Sequence, residues 1–232
     1  MNKRIAVCLS GEMRYWEITK HIFKDWEVDF FVSTWDTTNR KEDNYPYKFH
    51  GNSDINDDIL ETLSPKGYEF LSRETENKIK FHMPKYYYLV HRSNLLKTQY
   101  ELDNNFKYDC VIMTRPDVYY DRNPIKRIKL QKLDELVLYS GPINRGAEYF
   151  GLGMMDCAAY GTSATMDIFS SIYKHQYLSG NHNMLPIGHS IIPHYLKYIG
   201  LDLGKRTEIS QYLINKVRKP KEYEKLKGEY NV

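Results

Sequence analysis

Cysteine is scarce in this 232-residue chain: Cys8, Cys110 and Cys157 are all there are. The number is odd, no two are spaced C-x-x-C, and each stands in an apolar stretch. A disulfide scaffold is therefore excluded, and buried, reduced thiols are expected. Long apolar runs are missing as well, so no segment reads as a membrane-spanning helix. The apolar run at 5–9 is too short for the core of a signal peptide and reads as a strand, so synthesis and work in a cytoplasm are expected. A large charge excess is lacking too. Thirty-three Lys and Arg against 30 Asp and Glu give a net charge of +3. That balance argues against nucleic acid as the main partner. The excess is local: Lys216, Arg218, Lys219, Lys221, Lys225 and Lys227 crowd the C-terminus. They read first as a solvated terminal helix or tail, and second as a peripheral contact with an anionic membrane.

Several motifs are absent. Without G-x-G-x-x-G or G-x-x-x-x-G-K-[ST], dinucleotide oxidoreductases and P-loop enzymes are disfavoured. Without a G-x-S-x-G elbow, so is a serine hydrolase. His175, His182, His189 and His194 do not make an H-E-x-x-H pair, so a zinc site is disfavoured too.

What is present alternates. Residues 4–9 form a continuous apolar run stopped by Ser10-Gly11, the pattern of a strand buried on both faces. A helix is expected over 15–24 and a second strand over 28–33. Residues 37–57 are polar and read as a long loop. A short helix is expected at 55–63, a short strand at 67–71 and a long helix at 85–104. On that long helix Leu89, Leu96 and Tyr100 fall at helical spacing, Leu95 and Leu102 widen the stripe, and His91, Asn94 and Lys97 take the other face. Strands are expected over 108–113 and 136–140, with a further apolar segment over 151–159. Helices follow at 163–177, 186–199 and 208–217. The expected fold is α/β, a mostly parallel Rossmann-like sheet flanked by helices, with ligands beyond the carboxyl ends of the strands. Residues 1–205 are expected to form the catalytic domain, and 206–232 a C-terminal helix and basic tail.

Three stretches carry chemistry. Ser10-Gly11 with Arg14 sits between a strand and a helix, where backbone amides and a guanidinium suit a phosphate; the plainer reading is an ordinary turn. Arg115-Pro116-Asp117 closes a buried strand, where a carboxylate would face the ligand crevice; the plainer reading is a turn capped by Asp117. Asp156 stands among apolar and small residues, where a carboxylate must be paired or must act. Desolvation there would raise its pKa, as suits a general base; a helix cap is the alternative, although it lies several residues early for that.

In order along the chain, Lys3 to Arg14, Asp29 to Asp36, His91 to Tyr100, Tyr108 to Asp117 and Met155 to Gly161 resemble small GT-A-type glycosyltransferases of bacterial, phage and giant-virus kind, chlorella-virus rhamnosyltransferases among them. The matched patterns read [R/K]-I-A-[L/V]-C-[L/F]-S-G-x-x-R, a strand ending in Trp, a helix with a Ser-containing face, and Y-D-x-V-I-x-x-R-x-D. The likeness covers about the first 170 residues and implies a GT-A-like fold. It implies transfer of a sugar from a nucleotide-diphosphate donor, a UDP-sugar first, to a hydroxyl of a glycan acceptor. Carried over, Ser10, Gly11 and Arg14 hold the nucleotide, Trp35 and Asp36 lie near base or ribose, and Ser93 and Lys97 face the donor. Asp117 stands where the last Asp of D-x-D holds Mn²⁺ or Mg²⁺. Arg115 replaces the first Asp, so a guanidinium could itself neutralise the leaving diphosphate. Asp156 would deprotonate the acceptor. The alternatives are a nucleotidyltransferase using a nucleoside triphosphate in the same crevice, and a non-catalytic nucleotide-sugar-binding module.

Overall fold

The structure is a computed structural model describing residues 3–14, 16–36, 54–79, 82–120, 123–140, 158–174, 196, 199–203, 213–216 and 228. The strands are β1 (Ile5–Ser10), β2 (Asp29–Trp35), β3 (Gly67–Leu71), β4 (Cys110–Thr114), β5 (Val118–Tyr120), β6 (Val137–Ser140), β7 (Ala158–Gly161), β8 (Asp202–Leu203) and β9 (Leu213–Lys216). The helices are α1 (Trp16–Phe23), α2 (Asp54–Leu63), α3 (Arg73–Lys78), α4 (His82–Asp103), α5 (Ile125–Leu130) and α6 (Ser163–Ser170).

The fold is α/β. Seven strands form one sheet in the order β3-β2-β1-β4-β7-β6-β8, and β5 pairs with β9 apart from it. Pairing is parallel from β3 through β4. β7 runs antiparallel to both its neighbours, and β6 with β8 is parallel again. β1 is buried along its whole length, as its unbroken apolar run requires.

Alternation along β1 feeds two cores. Ile5, Val7 and Leu9 pack with Trp16, Ile22 and Phe23 of α1 and Ile59 and Leu63 of α2. Ala6 and Cys8 face the other layer, with Tyr87 and Val90 of α4 and Met166 and Phe169 of α6. Helices therefore cover both faces of the sheet. No helix among the described residues is long and apolar enough to cross a membrane.

The long helix corrects the expected stripe. Leu95 and Leu102 are exposed, while His91, Asn94 and Lys97 are buried. α4 has the sheet beneath it and α6 beside it, and α6 brings polar partners, Ser163 and Asp167, to the flank that hydrophobic spacing had given to solvent. The helix expected over 208–217 is also corrected: 213–216 form β9, antiparallel to β5. A partner strand distant in sequence outweighs local helical spacing there. The helix expected over 186–199 lies outside the described residues apart from Leu196 and Ile199, as does the loop expected from 37, up to the start of α2.

Candidate functional site

The chain passes from β1 outward to β2 and β3, then crosses back to β4 on the other side of β1. Strand order reverses at that point, and in open α/β sheets the crevice lies there, beyond the carboxyl ends. Gly11 follows β1 with φ +126°, a conformation that side chains rarely adopt. A Cβ built on it would lie 3.6 Å from Cδ of Pro116 and 3.8 Å from Cγ of Arg115, so the loops after β1 and β4 are in contact. The end of β2 is tied to the same point. Thr34 Oγ1, fully buried, donates to the Gly11 carbonyl at 2.7 Å, and the Gly11 amide donates to the Ser33 carbonyl at 3.4 Å. Just beyond, the Asp36 amide donates to the Leu71 carbonyl, while carboxylate oxygen Oδ1 of Asp36 is buried without a hydrogen-bond partner. A buried anionic oxygen is costly until an N–H or O–H reaches it, so it marks a place for a donor.

Arg115 and Asp117 close the β4 side. The guanidinium donates through Nε to Oδ1 at 2.7 Å and through Nη2 to Oδ2 at 2.5 Å, a bidentate pair. It lies 5.6 Å from the centre of the Tyr86 ring on α4. Both carboxylate oxygens of Asp117 are engaged by Arg115, and among the described residues no three His, Cys, Asp or Glu side chains gather as a cation site. Asp117 fixes the plane of the Arg115 guanidinium.

The other expected residues divide. Arg14 remains in the loop after β1, but it pairs with Glu12, Nε to Oε2 at 2.7 Å. Ser10 and Ser93 are fully buried, with their hydroxyls 2.8 Å apart. They fasten α4 to the end of β1 and do not open onto a crevice. Trp35, 5% exposed, packs against Ile79 and Leu89 rather than presenting a stacking face. Lys97 is 0% exposed, and its ammonium donates to Ser163 at 2.7 Å, Asp167 at 2.8 Å and Glu101 at 3.1 Å. It lies one helical turn below Ser93, under the sheet's face, because every hydrogen of its ammonium finds a partner between α4 and α6. These four side chains make interior contacts. Asp156, the expected base, lies outside the described residues.

Burial pushes the Glu101 carboxyl up, but donors from Lys107, the Tyr108 amide, Ser163 and Lys97 outweigh it and hold the group below its usual range. Cys8 and Cys110 are buried, and burial pushes each thiol to about 12, as inert packing residues should be.

Sequence reasoning missed Thr34 and Glu101. Glu101 stands four residues after Lys97, a spacing that pairs charges on any helix; nothing local reveals that the pair is buried. Thr34, in a strand otherwise rich in aromatic and apolar residues, carried no signal beyond its hydroxyl.

No protein-family model matches the chain, and neither does any curated protein. Among solved structures, the glycosyltransferase GlyE of Streptococcus pneumoniae TIGR4 is similar at 12% identity and a TM-score of 0.48 over 90% of this chain. Its apo form is similar at 10% identity and a TM-score of 0.46 over 88%. The chain spans 46% of the length of each GlyE chain. A glycosyltransferase involved in glycosylation of the major capsid of PBCV-1 is similar at 11% identity and a TM-score of 0.46, over 99% of this chain and 100% of that one.

Proposed function

We propose that this chain is a glycosyltransferase, moving a sugar from a nucleotide-diphosphate donor, a UDP-sugar first, to a hydroxyl of a glycan acceptor. The observation that carries this reading is the junction of Gly11 with Arg115 and Pro116 at the point where strand order reverses, with the unpartnered Asp36 oxygen beside it at the end of β2. A tight glycine next to an oriented guanidinium suits a diphosphate. A buried carboxylate oxygen suits an N–H of a base or an O–H of a ribose.

In this reading the chemistry is one displacement. The acceptor oxygen forms a bond to the anomeric carbon as that carbon's bond to the diphosphate oxygen breaks. The acceptor proton passes to a carboxylate, assigned to Asp156 from the sequence. Arg115, its plane held by Asp117, neutralises charge on the departing diphosphate, and no step is routed through a metal. Direct displacement inverts the anomeric centre.

The test is calorimetric titration of the purified chain with nucleoside diphosphates and their sugars. Asp36→Asn removes the charge and should weaken the tightest of these by about tenfold or more, since a hydrogen bond to a charged group is worth about 1.5–3 kcal/mol. Arg115→Ala should weaken it similarly. If wild-type protein binds no nucleoside diphosphate, or both variants bind as wild type does, the reading is wrong.

A further inference from the structure

Two polar atoms on α4 are buried without a hydrogen-bond partner: Nδ1 of His91 and Oδ1 of Asn94. The residues are 8% and 3% exposed. Standing three apart on a helix, their Cβ atoms are about 5–6 Å from each other on one face. Folded proteins leave few such groups unsatisfied, and two on adjacent turns call for a shared explanation.

The chemistry of the missing partner can be read from its neighbours. Asn94 donates through Nδ2 to Asp167 at 2.8 Å, which fixes the amide's orientation and leaves Oδ1 as an acceptor in need of a donor. Burial, then the charges of Lys174 and Arg92, lowers the pKa of His91, so its ring is neutral and carries one N–H. If that hydrogen is assigned to Nδ1, the pair asks for a group that accepts from His91 and donates to Asn94. A hydroxyl does both. A carboxylate or phosphate oxygen cannot donate to Asn94, and a cation is opposed by Lys174 and Arg92.

The surroundings suit a sugar. The Tyr173 ring lies 6.3 Å from His91 and 22° from its plane, and Tyr88 meets Tyr173 edge-on at 5.0 Å. An apolar aromatic surface with a few fixed polar atoms is the usual lining of a small-molecule site. The location agrees: Tyr86, five residues before His91 on the same helix, lies by Arg115.

We propose that His91 and Asn94 form a subsite for one hydroxyl group, supplied by the sugar of the ligand. The inference rests on the nucleotide-sugar reading above and names where that sugar is held. A lone water has the same hydrogen-bonding chemistry, and the test separates the two.

The full chain is titrated with a panel of nucleotide sugars and their bare nucleoside diphosphates. The readout is the ratio of the two affinities, which a purely structural effect on folding does not move. His91→Phe keeps a ring against Tyr173 and should lower that ratio roughly 5–10-fold, as one lost hydrogen bond does. Asn94→Leu should do the same, and His91→Asn, which restores a polar atom near the Nδ1 position, should recover part of it. In parallel, the His91 ring nitrogen resonances are followed by NMR as nucleotide sugars, free hexoses and 6-deoxyhexoses are added; one of these sugars should shift Nδ1. An unchanged ratio in His91→Phe and Asn94→Leu overturns the proposal. So does an Nδ1 resonance that no sugar moves, which leaves a lone water as the partner. If no nucleoside diphosphate binds, the glycosyltransferase reading fails by itself, and the free-sugar titration alone decides the subsite.

Discussion

Replacing Lys97 by Met separates an interior role from a ligand role. Met keeps most of the stem and removes the ammonium. In the fold that ammonium is fully buried and donates to Glu101, Ser163 and Asp167 at 2.7–3.1 Å. Removing one partner of a buried ion pair costs about 3–5 kcal/mol. The lower end applies, because Glu101 keeps Lys107, the Tyr108 amide and Ser163, and Asp167 keeps Asn94 and Thr98. About 3 kcal/mol is a large part of the roughly 5–15 kcal/mol that holds a domain folded. At about 2–4 °C per kcal/mol for a domain of this size, the melting temperature should fall by about 6–12 °C.

The same network sets an acid limit. Glu101 has a lowered folded-state pKa against an ordinary value of 4.5, so it contributes stability that is fully present above that value. That stability is lost as pH falls through the lower, folded-state value. Losing Lys97 removes one cause of the lowering, so the variant's stability should fall less steeply over that window. Urea unfolding of wild type and variant between pH 7 and pH 3 (an assay range of about four units) measures both effects. A stability loss under about 1 kcal/mol, together with a tenfold or greater loss of nucleoside diphosphate affinity, would refute the interior assignment and return Lys97 to the ligand.

Three further outcomes are expected. Gly11→Ala should cost about 1–3 kcal/mol of stability in urea unfolding, because its φ of +126° strains an L residue even where the space beside Pro116 is ordinary; wild-type stability would place Gly11 in a different backbone state. Thr34→Val should weaken nucleoside diphosphate binding by roughly 3–10-fold, because the Gly11 carbonyl loses its donor, and Thr34→Ser should restore it; equal binding by the Val variant would remove Thr34 from the junction. Asp156→Asn should keep donor affinity while sugar transfer falls about 10²–10⁴-fold, the range for a positioned base; transfer at the wild-type rate would disprove the assignment.

The sheet was legible because its signals are local. The unbroken apolar runs before Ser10 and Thr114 have one structural use in a chain this polar, a strand buried on both faces, and both became central strands. The stops were legible for the same reason: Gly11 and Pro116 end those runs, and they meet in the fold. Gly11, Asp36, Arg115 and Asp117 accordingly stand just beyond strand ends. Less legible were the surroundings of Trp35, Ser93 and Lys97, which come from elements far away in sequence.

The sequence by itself determined the α/β class, the positions of the inner strands and the turns that follow them, since these depend on runs and breaks a few residues long. The tertiary structure decided which side of α4 is inside, since α6 supplies partners for polar side chains from 62 to 73 residues away. It decided that 213–216 is a strand, since β5 lies alongside. It also decided what Asp117 touches. The motif presents a carboxylate at a strand end, and its pairing with the guanidinium two residues before it depends on the direction of Arg115, which lies against Gly11 and Tyr86.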